Sequence, residues 1–316
     1  MSILTKIVSI ILFIPALCSL YRTDAKDTEE LYLENIGSVG YENTIETAIP
    51  QTELYNMVVD HFKAPLPEGK TEKKAIIIGY DGCRADVVKL ANGKYSGIAK
   101  LLDNGGSINL GYCGGVNFPD GENSQDTSTA PGWCAVLTGV WADKNGVYGN
   151  GQPKNMEYKT LMTTLVEDGT IDSASFLTKW NGHFSKDNST YLPEKQYCEE
   201  NNLNVSFTKC AGHEATVFEA MNQLSEENCP DFTIAIYEGT DSAGHSFGFS
   251  FNNPAYKAGF ERCEKYATAT INTIEERETY ETEDWLIIIT SDHGGIGTDH
   301  GGASLQERMV FIVTNK

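Results

Sequence analysis

Asp81, Thr129, Asp241 with His245, the pair Asp292-His293 and His300 are the residues of this sequence whose types and positions suit metal-assisted hydrolysis. A site for two cations needs carboxylates and imidazoles from distant segments, because each cation takes three or four N/O ligands and the pair clamps one substrate oxyanion. Asp241-x-x-x-His245 sets two ligands four residues apart, which converge on one ion if the segment makes a helical turn. Asp292-His293-Gly294-Gly295 ends an apolar run, and its glycines let the backbone approach an ion closely. Any one of these alone reads equally well as a turn Asp or a solvated loop His. Their joint placement at strand ends is what favours one shared site.

Thr127-Ser128-Thr129-Ala130-Pro131 runs into a helix that Pro131 opens and that continues through Leu137. A hydroxyl at a helix N-terminus faces free backbone N–H groups and the positive end of the dipole, which suits a bound phosphate; a plain N-cap is the alternative. With metal ligands nearby, Thr129 becomes the candidate nucleophile, since its hydroxyl is inert at neutral pH unless a cation lowers its pKa. Gly244-His245-Ser246-Phe247-Gly248 matches the G-x-S-x-G elbow of serine hydrolases. Glu238 to Ala243 separate Ser246 from the preceding strand, so the match is expected to be accidental. No glycine-rich nucleotide-binding loop of either common type is present.

These residues need strand ends to hold them. The run Ala75–Tyr80 is continuously apolar and β-branched, as in a parallel strand covered on both faces, and Asp81 follows it directly. Further strands are predicted at 108–111, 174–179, 232–237, 285–290 and 309–314, with helices at 52–62, 96–103, 160–167, 214–224 and 258–277. Phe260, Tyr266, Ala269 and Ile274 on the last helix read as core. The alternation predicts an α/β fold with a doubly wound, mostly parallel sheet and helices on both faces. In such sheets ligands bind beyond the carboxyl ends of the strands, and Asp81, Asp241 and Asp292 each follow a strand. Trp180 and His183 in Trp-Asn-Gly-His, just past a strand, are candidates to line the same edge, the alternative being a packed Trp and an exposed loop His.

The chain has 316 residues, 40% of them hydrophobic, enough for one sizeable core. A formal net charge of -20 disfavours nucleic acid and anionic membranes as partners, so an anionic substrate must be drawn in by local cations. Residues 1–25, with Lys6 and the apolar run Ile7 to Cys18, are expected to be a secretory signal, too short to span a bilayer. That implies a secreted, extracellular or periplasmic protein with no transmembrane anchor once the signal is removed. Residues 26–72 are polar and acidic and read as an N-terminal extension, leaving 73–316 as the catalytic domain. The sequons at Asn188 and Asn204 fit an exported glycoprotein. Of eight cysteines, seven lie beyond the signal; Cys198, Cys210, Cys229 and Cys263 suit disulfides in an oxidising compartment, whereas Cys83 and Cys134 read as buried thiols.

The ordered set Asp81 in IIIGYDG, Thr129 in STAPGW, Asp241 and His245 in GTDSAGH, Asp292-His293 in TSDHG and His300 in TDHGG resembles the alkaline phosphatase superfamily. Within it the chain is most similar to the type I phosphodiesterase/nucleotide pyrophosphatase family. That resemblance implies one zinc held by Asp241, His245 and His300, and a second held by Asp81, Asp292, His293 and the Thr129 oxygen. It implies attack of Thr129 on phosphorus, a covalent phospho-threonine, and Asn150 as a donor to a non-bridging oxygen, against the alternative of a turn residue. Three histidines favour zinc over manganese or another divalent ion. Gly132 stands where nucleotide pyrophosphatases typically carry Asn after the Pro, which loosens the nucleotide assignment and leaves Gly132 as a substrate-side position. The small phosphorylated substrate implied is a diester; other members of the superfamily act as phosphomonoesterases, phosphonate hydrolases or phosphoethanolamine transferases. A sulfatase is disfavoured, because Trp133 stands where its Arg would be. The non-enzyme alternative is a secreted binding protein with this fold.

Overall fold

The computed structural model describes residues 27–119 and 121–316; the expected signal at 1–25 lies outside the described residues. Eight strands form one sheet: β1 (Ile49–Pro50), β2 (Glu72–Tyr80), β3 (Ser107–Tyr112), β4 (Ala174–Thr178), β5 (Val205–Lys209), β6 (Phe232–Tyr237), β7 (Glu283–Thr290) and β8 (Met309–Thr314). Their order is β1-β3-β8-β7-β2-β6-β4-β5, all pairings being parallel except those of β8 with β3 and β7. The fold is therefore the α/β class with a mostly parallel sheet that the patterning predicts.

Each central strand is buried along nearly its whole length because its two faces feed separate cores. On β2, Ile76, Ile78 and Tyr80 face one core, which the helices Gly97–Asp103, His213–Ser225 and Pro254–Glu275 cover; Ala75 and Ile77 face the other. That second core is covered by the helices Glu53–Lys63, Thr129–Thr138 and Leu161–Glu167. Side chains alternate across a strand, so covering both faces requires the unbroken apolar runs seen in the sequence.

Residues ahead of β2 take part in this packing. A helix at Glu29–Gly37 buries Tyr32 and Ile36, β1 adds an edge strand beside β3, and Leu54 and Val58 enter the core beneath the sheet. The Glu29–Gly37 helix is moored by a buried charge cluster: Arg84 donates to both Asp86 carboxylate oxygens at 3.0 and 2.8 Å, to Phe249 O at 2.8 Å and to Asp27, with its guanidinium 4.9 Å from the Tyr32 ring.

The cysteine expectation is corrected. All seven described cysteines are free and buried; Cys210 and Cys229 do lie in loops, but neither they nor Cys198 and Cys263 are paired. Cys198 and Cys263 sit on the inner faces of helices, where the thiol packs as a small apolar group. Among the described residues no helix is long and apolar enough to cross a membrane.

Candidate metal centre

Strand register brings the acidic residues together. β2 lies between β7 and β6, with Gly79 opposite Thr290 and Tyr80 opposite Tyr237. Asp81, Asp292 and Asp241 therefore leave three adjacent parallel strands at one edge. Asp241 N–H donates to Asp81 O at 3.0 Å, and Thr240 Oγ1 donates to the same carbonyl at 2.6 Å, which ties the segment after β6 to the segment after β2. Gly82 is required here: its φ is +62°, and a Cβ would come within 2.8 Å of Asp241 Cβ. Its amide donates to Asp292 Oδ1 at 3.1 Å, linking the third strand end.

Residues Gly239–Phe247 form a helix, so Asp241 and His245 share a face as their spacing requires. His245 Nε2 lies 3.4 Å and His300 Nε2 3.7 Å from Asp241 Oδ1, and the two Nε2 atoms are 3.1 Å apart. Beside this outer set is an inner one. His293 Nε2 is 3.4 Å from Asp292 Oδ2 and 3.7 Å from Asp81 Oδ1, and Thr129 Oγ1 is 3.4 Å from Asp81 Oδ1 and 3.5 Å from His293 Nε2. The His293 and His300 ring centroids are 4.1 Å apart, so the two sets adjoin.

The chemistry of these atoms fits two cations. Each histidine directs Nδ1 at a carbonyl: His245 at Thr298 O (3.0 Å), His300 at Thr127 O (3.1 Å) and His293 at Gly294 O (2.6 Å). A carbonyl only accepts, so each neutral ring carries its proton on Nδ1 and offers Nε2 as a lone pair. His245 and His300 thus point two lone pairs at each other, which a cation reconciles. Asp241 Oδ1 and Asp292 Oδ2 are buried and lack hydrogen-bond partners among the described residues. Burial, then Asp292 and Asp241, push the Asp81 carboxyl well above its usual range, and burial does the same to Asp292. Asp241 is pushed up to about 6 by burial, against the pull of His245. Burial, then the neighbouring imidazoles, hold His293 well below the usual value and His300 at about 4.

Thr129 is the first residue of the helix Thr129–Thr138 rather than the residue before it, and Ser128 makes no side-chain cap. Pro131 falls in the first turn. The expected row of bare amides is shorter than predicted, since Pro131 has no N–H and Ala130 N–H donates to Asn150 Oδ1 at 2.9 Å. With its oxygen so engaged, exposed Asn150 has only its Nδ2 hydrogens to offer a ligand beside Thr129. Trp133, which the sequence did not mark as functional, donates from Nε1 to Asp81 Oδ2 at 3.1 Å and stops that carboxylate from turning away. Its ring fills the space over Gly79.

Of the other substrate-side candidates, Gly132 lies in the helix that begins at Thr129 and Trp180 packs beside it, whereas His183 is withdrawn into a core. Gly132 is buried against the inner set, where a Cβ would meet Asp292 O at 2.6 Å, so it is a close-packing position. His183 is fully buried among Phe176, Tyr191 and Trp180, with no partner among the described residues for either ring nitrogen, and burial drops it to about 3. Trp180 is half-buried against Ala130 and Cys134 of the helix that begins at Thr129, and against Val147. The aromatics at 176, 184 and 191 were the signal that His183 belongs to a core. Ser246 is exposed in the last turn of its helix and cannot act as a strand-to-helix elbow.

A family model described as type I phosphodiesterase / nucleotide pyrophosphatase matches residues 75–309, more than half of the chain. No curated protein matches the chain. Among solved structures it is similar to murine ectonucleotide pyrophosphatase/phosphodiesterase 5, an inactive form in complex with AMP, at 14% identity and a TM-score of 0.48, covering 71% of this chain and 57% of that one. The human protein of the same name gives 15% identity and a TM-score of 0.46 over 70% of this chain and 57% of that one. A 2-O GAG sulfatase gives 11% identity and a TM-score of 0.49 over 78% and 64%. The chain thus spans less than two thirds of the length of each of these structures.

Proposed function

The chain belongs to the type I phosphodiesterase / nucleotide pyrophosphatase family of the alkaline phosphatase superfamily, and from that premise we propose that it is an exported hydrolase of small phosphoric diesters. In this proposal it works with two zinc ions and a covalent intermediate on Thr129. The observation that carries it is the pair of adjoining ligand sets, one of which includes the Thr129 hydroxyl. Export rests on the sequence of residues 1–25 alone.

Asp241, His245 and His300 would hold the outer zinc, and Asp81, Asp292, His293 and Thr129 the inner one. When bound, the two ions supply Lewis-acid stabilisation of the entering and leaving oxygens and lower the pKa of the threonine hydroxyl. Thr129 Oγ attacks phosphorus in line; its bond to phosphorus forms as the bond to the leaving alcohol breaks, giving a phospho-threonine ester. Water then cleaves that ester and restores the hydroxyl. Trp133 keeps Asp81 oriented while its other oxygen faces Thr129. Asn150 presents Nδ2 hydrogens to a non-bridging oxygen, and the helix dipole at Thr129 adds to the attraction for the anion. On a surface of net charge -20 these groups and the cations provide the local attraction a phosphate needs.

The test combines metal analysis with Thr129→Ala on an aryl phosphodiester. The expected result is two divalent ions per chain and a loss of turnover of about 10³-fold or more. Fewer than two ions, or unchanged turnover in the variant, overturns the proposal. A panel of aryl monoester, aryl diester, dinucleotide and sulfate substrates then fixes the leaving group.

A further inference from the structure

One short pattern occurs twice at the site: Asp292-His293-Gly294-Gly295 and, seven residues on, Asp299-His300-Gly301-Gly302. In the first copy both side chains face the inner set, with Asp292 Oδ2 and His293 Nε2 3.4 Å apart. In the second, His300 belongs to the outer set, and Asp299 stands beside it on an exposed loop. Ligand atoms of His245, Asp299 and His300 nevertheless lie within 4.8 Å of one another. The loop that carries Asp299 is pinned from two sides: Asp299 O accepts from Ile296 N at 3.0 Å, and Thr298 O accepts from His245 Nδ1 at 3.0 Å. Asp299 Oδ1 accepts from His300 N at 2.9 Å, which leaves its second oxygen uncommitted.

We propose that Asp299 is a fourth side-chain ligand of the outer cation, beside Asp241, His245 and His300; the inference rests on the reading of the site as a two-cation centre. Two nitrogens and two carboxylate oxygens make a complete tetrahedral donor set for zinc. Charge points the same way. Before Thr129 ionises, Asp81, Asp292 and Asp241 leave two dications one positive charge in excess, and Asp299 cancels it. Asp299 is also the ligand best able to yield its place to an incoming oxygen, being exposed on a loop flanked by Gly297 at φ +58° and Gly301 at φ +112°.

The test uses the full mature chain stripped with a chelator, with zinc titrated against a chromophoric competitor and the cobalt-loaded absorption spectrum recorded. Asp299→Asn keeps an oxygen for the His300 amide and removes the charge; Asp299→Ala removes both. In both variants one of the two zinc affinities is expected to fall about 10- to 100-fold with the other unchanged, and the cobalt bands to shift. If Asp299 only caps the turn, Asp299→Asn titrates like the wild type with a superimposable cobalt spectrum, and the inference is overturned while the two-cation reading stands. A wild type that binds fewer than two ions overturns both together.

Discussion

Two clusters of buried charge lie within a few residues of each other on the segment after β2, and they are built on opposite plans. Around Arg84 each guanidinium nitrogen is answered: two oxygens of Asp86, the carboxylate of Asp27 and the carbonyl of Phe249 take its hydrogens. Burial raises Asp86, and Arg84 pulls it back. Around Asp81 the neighbours share its sign, Asp292 and Asp241 add to the burial penalty, and two oxygens go unanswered among the described residues. The first cluster is complete within the chain and serves the fold. The second requires positive charge from outside, and that requirement is what distinguishes a binding centre from a structural ion pair.

The sharpest way to break the contrast is Arg84→Met, which strands Asp86 and Asp27 without a counter-charge. Removing one partner of a buried pair costs about 3–5 kcal/mol, so denaturant unfolding should show a loss of that size. A midpoint close to wild type would mean that the cluster is not the closed network described. Asp292→Asn should act in the other direction on the metal-free protein. It deletes one of three mutually repelling carboxylates, so the metal-free unfolding free energy should rise, by about 1–3 kcal/mol, while the gain from added zinc disappears. A fall in metal-free stability would place Asp292 with the Arg84 type of cluster.

The smallest effect is one of pH. Burial pushes Asp241 up to about 6 from the ordinary aspartate value of 3.8, so the folded metal-free chain holds this proton longer than the unfolded chain. Its contribution is therefore fully present below about pH 4 and is lost as pH rises through about 6. Metal-free stability in Asp241→Asn should lack that part of the decline between pH 4 and 6. Identical profiles for wild type and variant would remove Asp241 from the strained set.

Much of this arrangement is legible in the sequence, for a physical reason. β2, β6, β7 and β8 are found within a few residues because strands covered on both faces must be apolar without interruption. Site legibility follows from that, since ligands placed directly after such strands inherit their certainty. What escapes is held by tertiary contact. β5 is an edge strand with half-exposed, polar residues, and Gly239–Phe247 contains two glycines, a Thr and an Asp, poor helix formers that acquire a helix where Asp241 ties back to Asp81. His183 misleads because its chain neighbours read as a turn, while the rings that enclose it come from seven and eight residues away on either side, at 176 and 191. Trp133 shows the converse: an apolar residue in an apolar helix has a polar task visible only once Asp81 is beside it.

Gly82 and Gly132 act as spacers of no thickness. At each of them main chain rests directly on the neighbouring strand end, with room for a hydrogen and nothing larger. The bore of the cage is therefore gauged by backbone seated on the ligand residues themselves, on Asp241 at Gly82 and on Asp292 at Gly132. Exchanging a liganding group retunes which ion is preferred at a fixed diameter, whereas a single methyl at either glycine prises the whole aperture wider.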